Sequence, residues 1–403
     1  MVKSMQQISP AVSPHLVRTL NAGRLLQYAW EADAFTASDA IEETGLTRST
    51  VLRVCADLVE RGWLQELADA RTAGQYSLGR PARRYAFRPG AGALVGVDSG
   101  EHRVTARVTD LRGTELARES REIGAVLDTA ANRLALTETT VDAALVTAGV
   151  RVDAVLIIVL GVPAPTDVIG ASPQGADGFW ARMNPGFAEK FARRGWKVVV
   201  ENDANLAAIA EGAVGAGVGA SSFVCLLAGE RFGAGIIADG ALVRGAHGGA
   251  GELHLLDYVD GVGSADGLAR LARTWAEEAR ASGALASTAL EKAFEAEDVF
   301  AAARAGDAEA LAITARLAFL LARVCVVVGG ILDAERIIVG GAVAPAAAGI
   351  LDDAALHLKD LSHGPAPTLI ASPLASEAVG LGAIHQGLAF VRLDPLAFEL
   401  AMR

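Results

Sequence analysis

Apolar residues near the start of the chain recur at helical spacing. Between Pro14 and Ala32 they lie mostly three or four positions apart, which predicts an amphipathic helix. The residues that carry this pattern are Leu16, Val17, Leu20, Leu26, Ala29 and Trp30. A short second helix follows, for which Thr36 and Ser38 are both candidate N-caps and which Gly45 ends.

A third helix is predicted directly after Thr47, whose side chain is placed to cap it. This helix runs to Arg61, and Gly62 ends it. Its apolar stripe consists of Val51, Val54, Cys55, Leu58 and Val59. Two helices joined by the tight turn 44–47 are typical of a helix-turn-helix, whose second helix enters the DNA major groove.

Two short strands, at 63–67 and 84–87, are predicted on either side of the loop 68–83. Helix-turn-helix, strand, basic loop and strand in this order indicate a winged helix, in which the loop contacts phosphates or a minor groove. The predicted DNA-binding residues are Thr47, Arg48, Ser49, Arg53, Arg80, Arg83 and Arg84. The alternative is a small helical packing domain without a ligand.

The remainder of the chain alternates buried strands with helices, which predicts an α/β fold. Its strands are rich in Val and Ile, as expected for strands buried on both faces. The predicted strands are 95–98, 104–109, 154–159, 197–200, 223–227, 235–238 and 336–339. The predicted helices are 129–148, 204–212, 266–282 and 307–329.

Charge divides the chain at the same place as the patterning. The 403 residues carry a net charge of −11, but residues 1–90 hold 11 basic and 9 acidic residues. The first segment therefore has a net charge of +2 and the remainder −13. Proline and glycine punctuate the chain up to Gly90, so we predict a winged helix-turn-helix domain at 1–90 and a second domain at 91–403.

Composition favours a cytoplasmic protein. No uninterrupted run of about 18 apolar residues is present, so no membrane span is predicted. The first residues lack the apolar core of a signal peptide. The three cysteines, Cys55, Cys225 and Cys325, lie far apart and form no CxxC pair, which argues against a disulfide framework and a cysteine-rich metal cluster.

Several motifs make the chain resemble the ROK family of repressors, open reading frames and sugar kinases, over about residues 14–390. They are Thr44-Gly45-Leu46-Thr47-Arg48-Ser49-Thr50-Val51, Gly79-Arg80-Pro81-Ala82, Glu201-Asn202-Asp203-Ala204-Asn205, 244–252 with its Gly248-Gly249-Ala250-Gly251-Glu252 end, and Val339-Gly340-Gly341. The resemblance implies a two-lobed actin-like ATPase (sugar-kinase) fold after the winged helix. The fused winged helix is similar to that of the family's repressors.

The resemblance also implies a ligand site. Asp203 corresponds to the family's catalytic base, and Asn202 and Glu252 correspond to residues that hydrogen-bond sugar hydroxyls. For Asp203 the alternative is a helix N-cap. His254 is a candidate substitute donor, although a one-residue shift in an extended segment would point it away from the site.

Other family positions are altered. Glu101 and Glu230 stand in the two phosphate loops, where a carboxylate repels a triphosphate and a side chain obstructs it. By resemblance, the turns on the adenosine side of the nucleotide lie at 340–341 and 380–383, and the alternative is that the glycines there serve packing. The family's zinc ligands correspond to Leu255 and to positions within 261–268, which contain no cysteine, and a structural zinc site needs four ligands. We therefore predict no zinc, no nucleotide cofactor and no kinase activity.

Three functions remain open at this point. The first, which we favour, is a DNA-binding regulator, a repressor of sugar-related genes whose kinase-like domain senses a sugar or sugar phosphate and mediates dimerisation. The second is an active sugar kinase with an accessory DNA-binding domain. The third is a regulator that works only through protein partners. The predicted partners are a pseudopalindromic DNA operator and further copies of the chain, as a homodimer or homotetramer.

Overall fold

The structure is a computed structural model that describes residues 14–67, 83–124, 128–175, 178–282, 289–292 and 295–401. The N-terminal part contains three helices and a small antiparallel sheet of order β1-β3-β2. These elements are α1 (Pro14–Glu31), β1 (Phe35–Thr36), α2 (Ala37–Thr44), α3 (Arg48–Glu60), β2 (Leu64–Leu67) and β3 (Arg84–Phe87). The predicted winged helix-turn-helix is confirmed in its described part, whereas Arg80 and the loop 68–82 lie outside the described residues.

Local capping sets the two helices of the helix-turn-helix. Thr36 and Asp39 form a reciprocal capping box at the start of α2, so Thr36 rather than Ser38 is the cap. Gly45 follows with φ of 67°, a conformation that glycine adopts without strain. The Thr47 hydroxyl then accepts a hydrogen bond from the Thr50 amide (3.4 Å) and caps α3.

An aromatic cluster joins this N-terminal head to the rest of the chain. Trp30 stacks on Phe87 with ring centroids 4.4 Å apart, and its indole N–H donates to the carbonyl of Leu111 (2.8 Å). Arg112 donates to the carbonyl of Ala32 (2.7 Å). The head thus packs on the neighbouring lobe, and the domain division at residue 90 stays a prediction.

The second part contains two five-stranded sheets of equivalent topology, each with three antiparallel strands followed by two parallel ones. The first sheet, of order β6-β5-β4-β7-β8, comprises β4 (Ala93–Ser99), β5 (Arg103–Asp110), β6 (Glu115–Glu122), β7 (Val155–Val162) and β8 (Lys197–Asn202). The second, of order β11-β10-β9-β12-β13, comprises β9 (Phe223–Leu227), β10 (Gly233–Ala238), β11 (Ala241–Leu242), β12 (Arg336–Gly340) and β13 (Thr368–Ala371). This is the predicted two-lobed actin-like architecture.

Helices surround and separate the two sheets. They are α4 (Ala130–Ala148), α5 (Phe179–Met183), α6 (Phe187–Ala192), α7 (Asp203–Val214), α8 (Leu268–Ala281), α9 (Ala296–Arg304), α10 (Ala308–Leu332), α11 (Ala348–Leu361) and α12 (Ala378–Leu393). Helices α7 and α12 pack against each other, α12 on β4 and β7 and α7 on β9 and β10. At their contact a Cβ on Gly382 would lie 1.9 Å from the carbonyl oxygen of Leu206, so only glycine fits.

Residues 380–383 were expected to form an adenosine-side turn. That expectation is wrong, because they belong to the first turns of α12. The glycines do not form a turn; they allow α7 to pack closely against α12.

Helix α10 is the described helix that is long and apolar enough to cross a membrane. Length and composition do not by themselves identify a membrane-spanning helix, because buried core helices are equally long and apolar. In α10, 56% of the most apolar 18-residue window is buried inside the protein. Its residues Leu317, Leu321 and Cys325 are fully buried in the core of the second lobe. Core helices of soluble proteins have this character.

Candidate functional site

A cleft of about 1150 Å³ lies between the two lobes. Its lining includes the turn after β4, the end of β8 with the start of α7, and the turn after β9. Segment 252–254 and the start of α12 complete it. The cleft therefore brings together Asn202, Asp203, Glu252 and His254, the four residues predicted to bind a ligand.

Strand β8 runs directly into α7, and this junction positions Asn202 and Asp203. The Asn202 side chain caps α7, because its Oδ1 accepts from the Asn205 amide (3.2 Å). The alternative that Asp203 is the N-cap is therefore wrong, and Asp203 is instead the first residue of the helix. Its Oδ1 accepts from the Ala204 amide (2.8 Å), and its carboxyl group faces the cleft.

Glu201, which precedes these residues, ties the junction to the glycine-rich segment before Glu252. It is 4% exposed and accepts hydrogen bonds from Asn205 Nδ2 (2.9 Å) and Arg244 Nε (2.8 Å). A buried carboxylate needs such donors. Glu201 and Arg244 therefore position the candidate ligand-binding residues without lining the cleft themselves.

Burial and neighbouring acids raise the pKa values of the cleft carboxyl groups. Burial, followed by the charges of Asp98 and Glu252, raises the pKa of Asp203 to about 8. Burial and the charge of Glu377 raise the pKa of Asp98 to about 7. Burial also raises the pKa of Glu252, against the lowering influence of His254 and Arg231. Burial and the neighbouring acids thus favour the protonated form of Asp203.

This shift predicts a pH-dependent effect of Asp203→Asn on stability. The unfolded chain releases the Asp203 proton near pH 4, whereas the folded chain keeps it until about pH 8, so stability is lost as pH rises through this range. Asparagine does not titrate, so the variant does not lose this stability as pH rises. In urea denaturation, we expect Asp203→Asn to increase the free energy of unfolding relative to the unmodified protein. This increase should be larger at pH 8 than at pH 5 by more than about 1 kcal/mol. Asp352→Asn, on the exposed face of α11, is the control, and equal gains at both pH values would contradict the assignment.

His254 lies in the cleft, whereas an extended backbone at this position was predicted to point its side chain away from the site. Residues His254–Tyr258 form a 3-10 helix, so the alternation of side chains along a strand does not apply. The His254 ring meets Trp180 edge-on with centroids 5.5 Å apart, and its Nε2 lies 4.0 Å from Glu252 Oε2. Trp180 was not predicted from the sequence. The only sign of it was that an aromatic residue stands in a long connection rich in glycine and proline.

The turn after β4, where Glu101 was predicted to obstruct phosphate, is held by a buried arginine. Arg133 on α4 is fully buried, pairs with Asp128 and donates to the carbonyls of Gly100 (2.8 Å) and Glu101. In a trans peptide the N–H group points opposite to the C=O group. The amides of Glu101 and His102, which follow these two carbonyls, therefore point away from Arg133. The signal in the sequence was an arginine on the otherwise uncharged buried stripe of α4.

The turn after β9 carries the second acid, Glu230. Its carboxylate pairs with Arg273 of α8 (2.6 Å), so its charge is compensated within the protein. The sequence placed an acid in this loop but did not indicate Arg273 as its partner. A Cβ on Gly267 would lie 2.2 Å from the carbonyl oxygen of Gly229, so this turn is packed tightly against the start of α8.

The segment that corresponds to the family's zinc site is held by other contacts. Arg323 donates to the carbonyl of Asp260, and the amide of Phe232 donates to the carbonyl of Ala265 (2.8 Å). In the parts of the chain that the structure describes, no group of three or more His, Cys, Asp or Glu side chains could hold a metal ion. These residues do not fit a zinc ion.

The predicted DNA-binding residues of α3 are exposed on the head. Thr47, Arg48, Ser49 and Arg53 face solvent. The Thr47 hydroxyl, which caps α3, also lies 3.2 Å from the hydroxyl of Ser49. Neither Arg48 nor Arg53 has an ion pair or side-chain hydrogen bond with any residue described. Near the wing, Arg83 pairs with Glu66 (3.4 Å), while Arg84 is half-buried in β3.

Comparison with known proteins covers both parts of the chain. The model of the ROK family matches residues 94–359, and that of the IclR helix-turn-helix domain matches residues 21–68. The chain is 31% identical to a glucokinase of Halalkalibacterium halodurans over 224 residues, which cover 48% of this chain and 67% of that enzyme.

Solved structures show the same fold. A ROK family transcriptional regulator, described as a homolog of the E. coli MLC protein, aligns with a TM-score of 0.70 at 21% identity and covers 94% of this chain and 98% of its own. A ROK family glucokinase from Streptomyces griseus, in complex with glucose and AMPPNP, aligns with a TM-score of 0.61 at 26% identity over 73% of this chain and 99% of its own. The chain therefore belongs to the ROK family and carries an IclR-type helix-turn-helix at its N-terminal side.

Proposed function

We propose that this chain is a cytoplasmic, sugar-responsive transcriptional repressor that binds a pseudopalindromic operator as a homodimer or homotetramer. A helix-turn-helix joined to a ROK domain fits a sugar-responsive regulator. The observation that carries the proposal is an exposed α3 whose Arg48 and Arg53 have no acidic partner among the described residues, in a head that contacts the neighbouring lobe through Trp30 and Ala32. The cleft beside that lobe holds Asn202, Asp203 and Glu252. Three buried free cysteines suit a reducing compartment.

Arg48 and Arg53 supply the charge of the proposed DNA contact. Both are exposed at the N-terminal half of α3, the part of a recognition helix that meets base edges. Arg83 and Arg84, with Arg80 outside the described residues, are proposed to contact the phosphate backbone. Because the head carries a net charge of only +2, two heads on one operator are needed for affinity.

Helix α12 links the cleft to the head. Glu377, at its N-terminal end, lines the cleft, and Arg392, in its last turn, pairs with Glu31 of α1 (3.0 Å) and lies over the Trp30 ring. The helix spans about 24 Å at 1.5 Å per residue. A ligand that closes the lobes would thus displace a helix in direct contact with the head. Operator affinity then changes if the ligand binds the two states with different affinity.

One observation favours a second function, that of an active sugar kinase. Asp203 is retained in the cleft, and its pKa of about 8 is suitable for a general base near neutral pH. Against this, the side chains of Glu101 and Glu230 lie at the two phosphate turns, where they obstruct the close approach of a triphosphate. We therefore propose that the domain binds its ligand without phosphorylating it.

Operator binding in the presence of sugars tests the proposal. An operator is selected from random-sequence DNA with the full-length protein, and affinity is measured by fluorescence anisotropy with and without each aldohexose and its 6-phosphate. We expect one ligand to change affinity about 5- to 150-fold, the range of allosteric coupling. Unchanged affinity across the panel would refute sensing. Phosphorylation of any sugar with Mg-ATP, abolished by Asp203→Ala, would establish the kinase instead.

A further inference from the structure

We propose that Leu52 on α3 contacts the C5-methyl group of a thymine in the major groove, and that this contact sets part of the sequence preference of the operator. Thymine recognition rests on the proposed function as a DNA-binding regulator and deepens it, because it names one base that the protein reads and the side chain that reads it.

The exposed face of α3 has small and apolar residues at its centre and an arginine on each side. Because an α-helix turns by about 100° per residue, Arg48 and Arg53 lie about 140° apart around the axis. Ser49, Leu52 and Ala56 lie between them, and all five side chains are exposed. The buried stripe of α3 lies on the opposite side of the helix. The residues at the centre of the face are therefore the ones that the floor of a groove would meet.

Leu52 is the large side chain at this centre. It is 38% exposed, whereas the other residues of the stripe, Ser49 three positions before it and Ala56 four positions after it, have short side chains. Single exposed leucines are common on protein surfaces, so exposure by itself indicates nothing. The position of Leu52 is what distinguishes it, because its short neighbours allow the helix backbone to approach DNA while Leu52 projects from it.

Thymine is the base that offers an apolar group in the major groove. Its C5-methyl group is contacted by apolar side chains in protein–DNA complexes, whereas the other groups on the base edges there are hydrogen-bond donors and acceptors. A leucine placed against those polar groups would remove water from them without supplying a partner, which costs free energy. Contact with a methyl group instead takes two apolar surfaces out of water. The centre of the face therefore favours thymine.

The charges on α3 hold this centre towards the groove and limit the contact to the first half of the helix. Arg48 and Arg53 have no acidic partner among the described residues, so one arginine on each side is available for a phosphate or a guanine. Glu60 is exposed further along the same face and would be repelled by phosphates. From Arg48 to Ala56 the helix rises about 12 Å, close to the width of the major groove.

Replacement of thymine by uracil, which lacks only the C5-methyl group, tests the contact. The operator is selected with the full-length protein from synthetic random-sequence DNA, which contains no 5-methylcytosine, so thymine is its only source of C5-methyl groups. Each symmetry-related pair of thymines is then replaced by uracil, and affinity is measured by fluorescence anisotropy. At one pair we expect a loss of about fourfold for each half-site and about 15-fold for both, the effect of one buried methyl group in each.

Variants of Leu52 assign the effect to its side chain. Leu52→Ala should bind the thymine and uracil operators with affinities within about twofold of each other, because the apolar partner of the methyl group is gone. Alanine favours helices, and circular dichroism melts establish that the variant is folded. Its salt slope should be unchanged, since no charge is removed. Leu52→Met keeps a long apolar side chain and should retain most of the discrimination.

Leu116→Ala is the matched control, since Leu116 is a 44% exposed leucine on β6 in the first lobe. It should discriminate between thymine and uracil as the unmodified protein does. Equal affinity for thymine and uracil at every position would overturn the proposal, and so would discrimination that Leu52→Ala retains. In both cases operator binding persists, so the repressor function stands. Failure to select any operator would instead overturn DNA binding, and the thymine contact with it.

Discussion

Replacing both Arg48 and Arg53 by alanine is expected to lower operator affinity roughly 30-fold or more. An arginine that contacts a base contributes about 1–3 kcal/mol, and a phosphate contact adds a salt-dependent part of its own. Both side chains are exposed at the start of α3 and have no competing carboxylate among the described residues, so their charge is available to DNA. Anisotropy titrations at several salt concentrations measure the affinity and its salt slope.

Arg193→Ala is the matched control, since Arg193 is an exposed arginine at the end of α6 whose ion-pair partner among the described residues is Glu189, four positions earlier. It should bind the operator as the unmodified protein does. Circular dichroism melts establish that the double variant is folded. Retention of full operator affinity and salt slope by the folded double variant would mean that α3 is not the recognition helix.

Replacing Arg133 by methionine is expected to reduce the free energy of unfolding by about 3 kcal/mol or more, the usual cost of breaking a buried ion pair. The methionine retains most of the apolar volume but leaves Asp128 with only Arg182 (3.3 Å) and removes both donors to the turn at Gly100 and Glu101. Urea denaturation followed by tryptophan fluorescence measures the change. Sugar affinity should fall in parallel, because the turn that lines the cleft loses its support.

Arg151→Met provides the comparison for this effect. Arg151 is 66% exposed and pairs with Asp153 on the surface, where an ion pair contributes at most about 1 kcal/mol. Its replacement should therefore change the free energy of unfolding by less than 1 kcal/mol. Equal losses from Arg133→Met and Arg151→Met would show that burial of Arg133 does not stabilise the fold.

Local signals accounted for much of the fold. The cap at Thr47 and the stop at Gly45 were predictable, and the cap of α2 was narrowed to Thr36 or Ser38, because each depends on residues three or four positions away. The Val/Ile-rich strands were predictable because central strands are buried on both faces.

Strand β6 was missed, since it is an edge strand with a polar sequence and one buried residue, Ala117. An edge strand forms through its partner, here β5, and not through its own hydrophobic pattern.

The family motifs brought Asp203, Asn202 and Glu252 into view but did not settle how each is used. Asn202 and Asp203 are both suitable caps by residue type, and the direction in which β8 enters α7 decides that Asn202 caps. The direction of His254 followed from a 3-10 helix that its sequence does not signal. In both cases the backbone path, not the residue type, determines the role.

The sequence by itself determined the order of the two parts, the charge difference between head and body, the helix-turn-helix and two of the cleft acids, Asp203 and Glu252. Only the tertiary structure decided their partners. Arg133 reaches the turn at Gly100, Arg273 neutralises Glu230, Trp180 meets His254, and α12 connects the cleft to Trp30. Capping and periodicity act between neighbours along the chain, whereas charge compensation and side-chain packing depend on which distant segments the fold brings into contact.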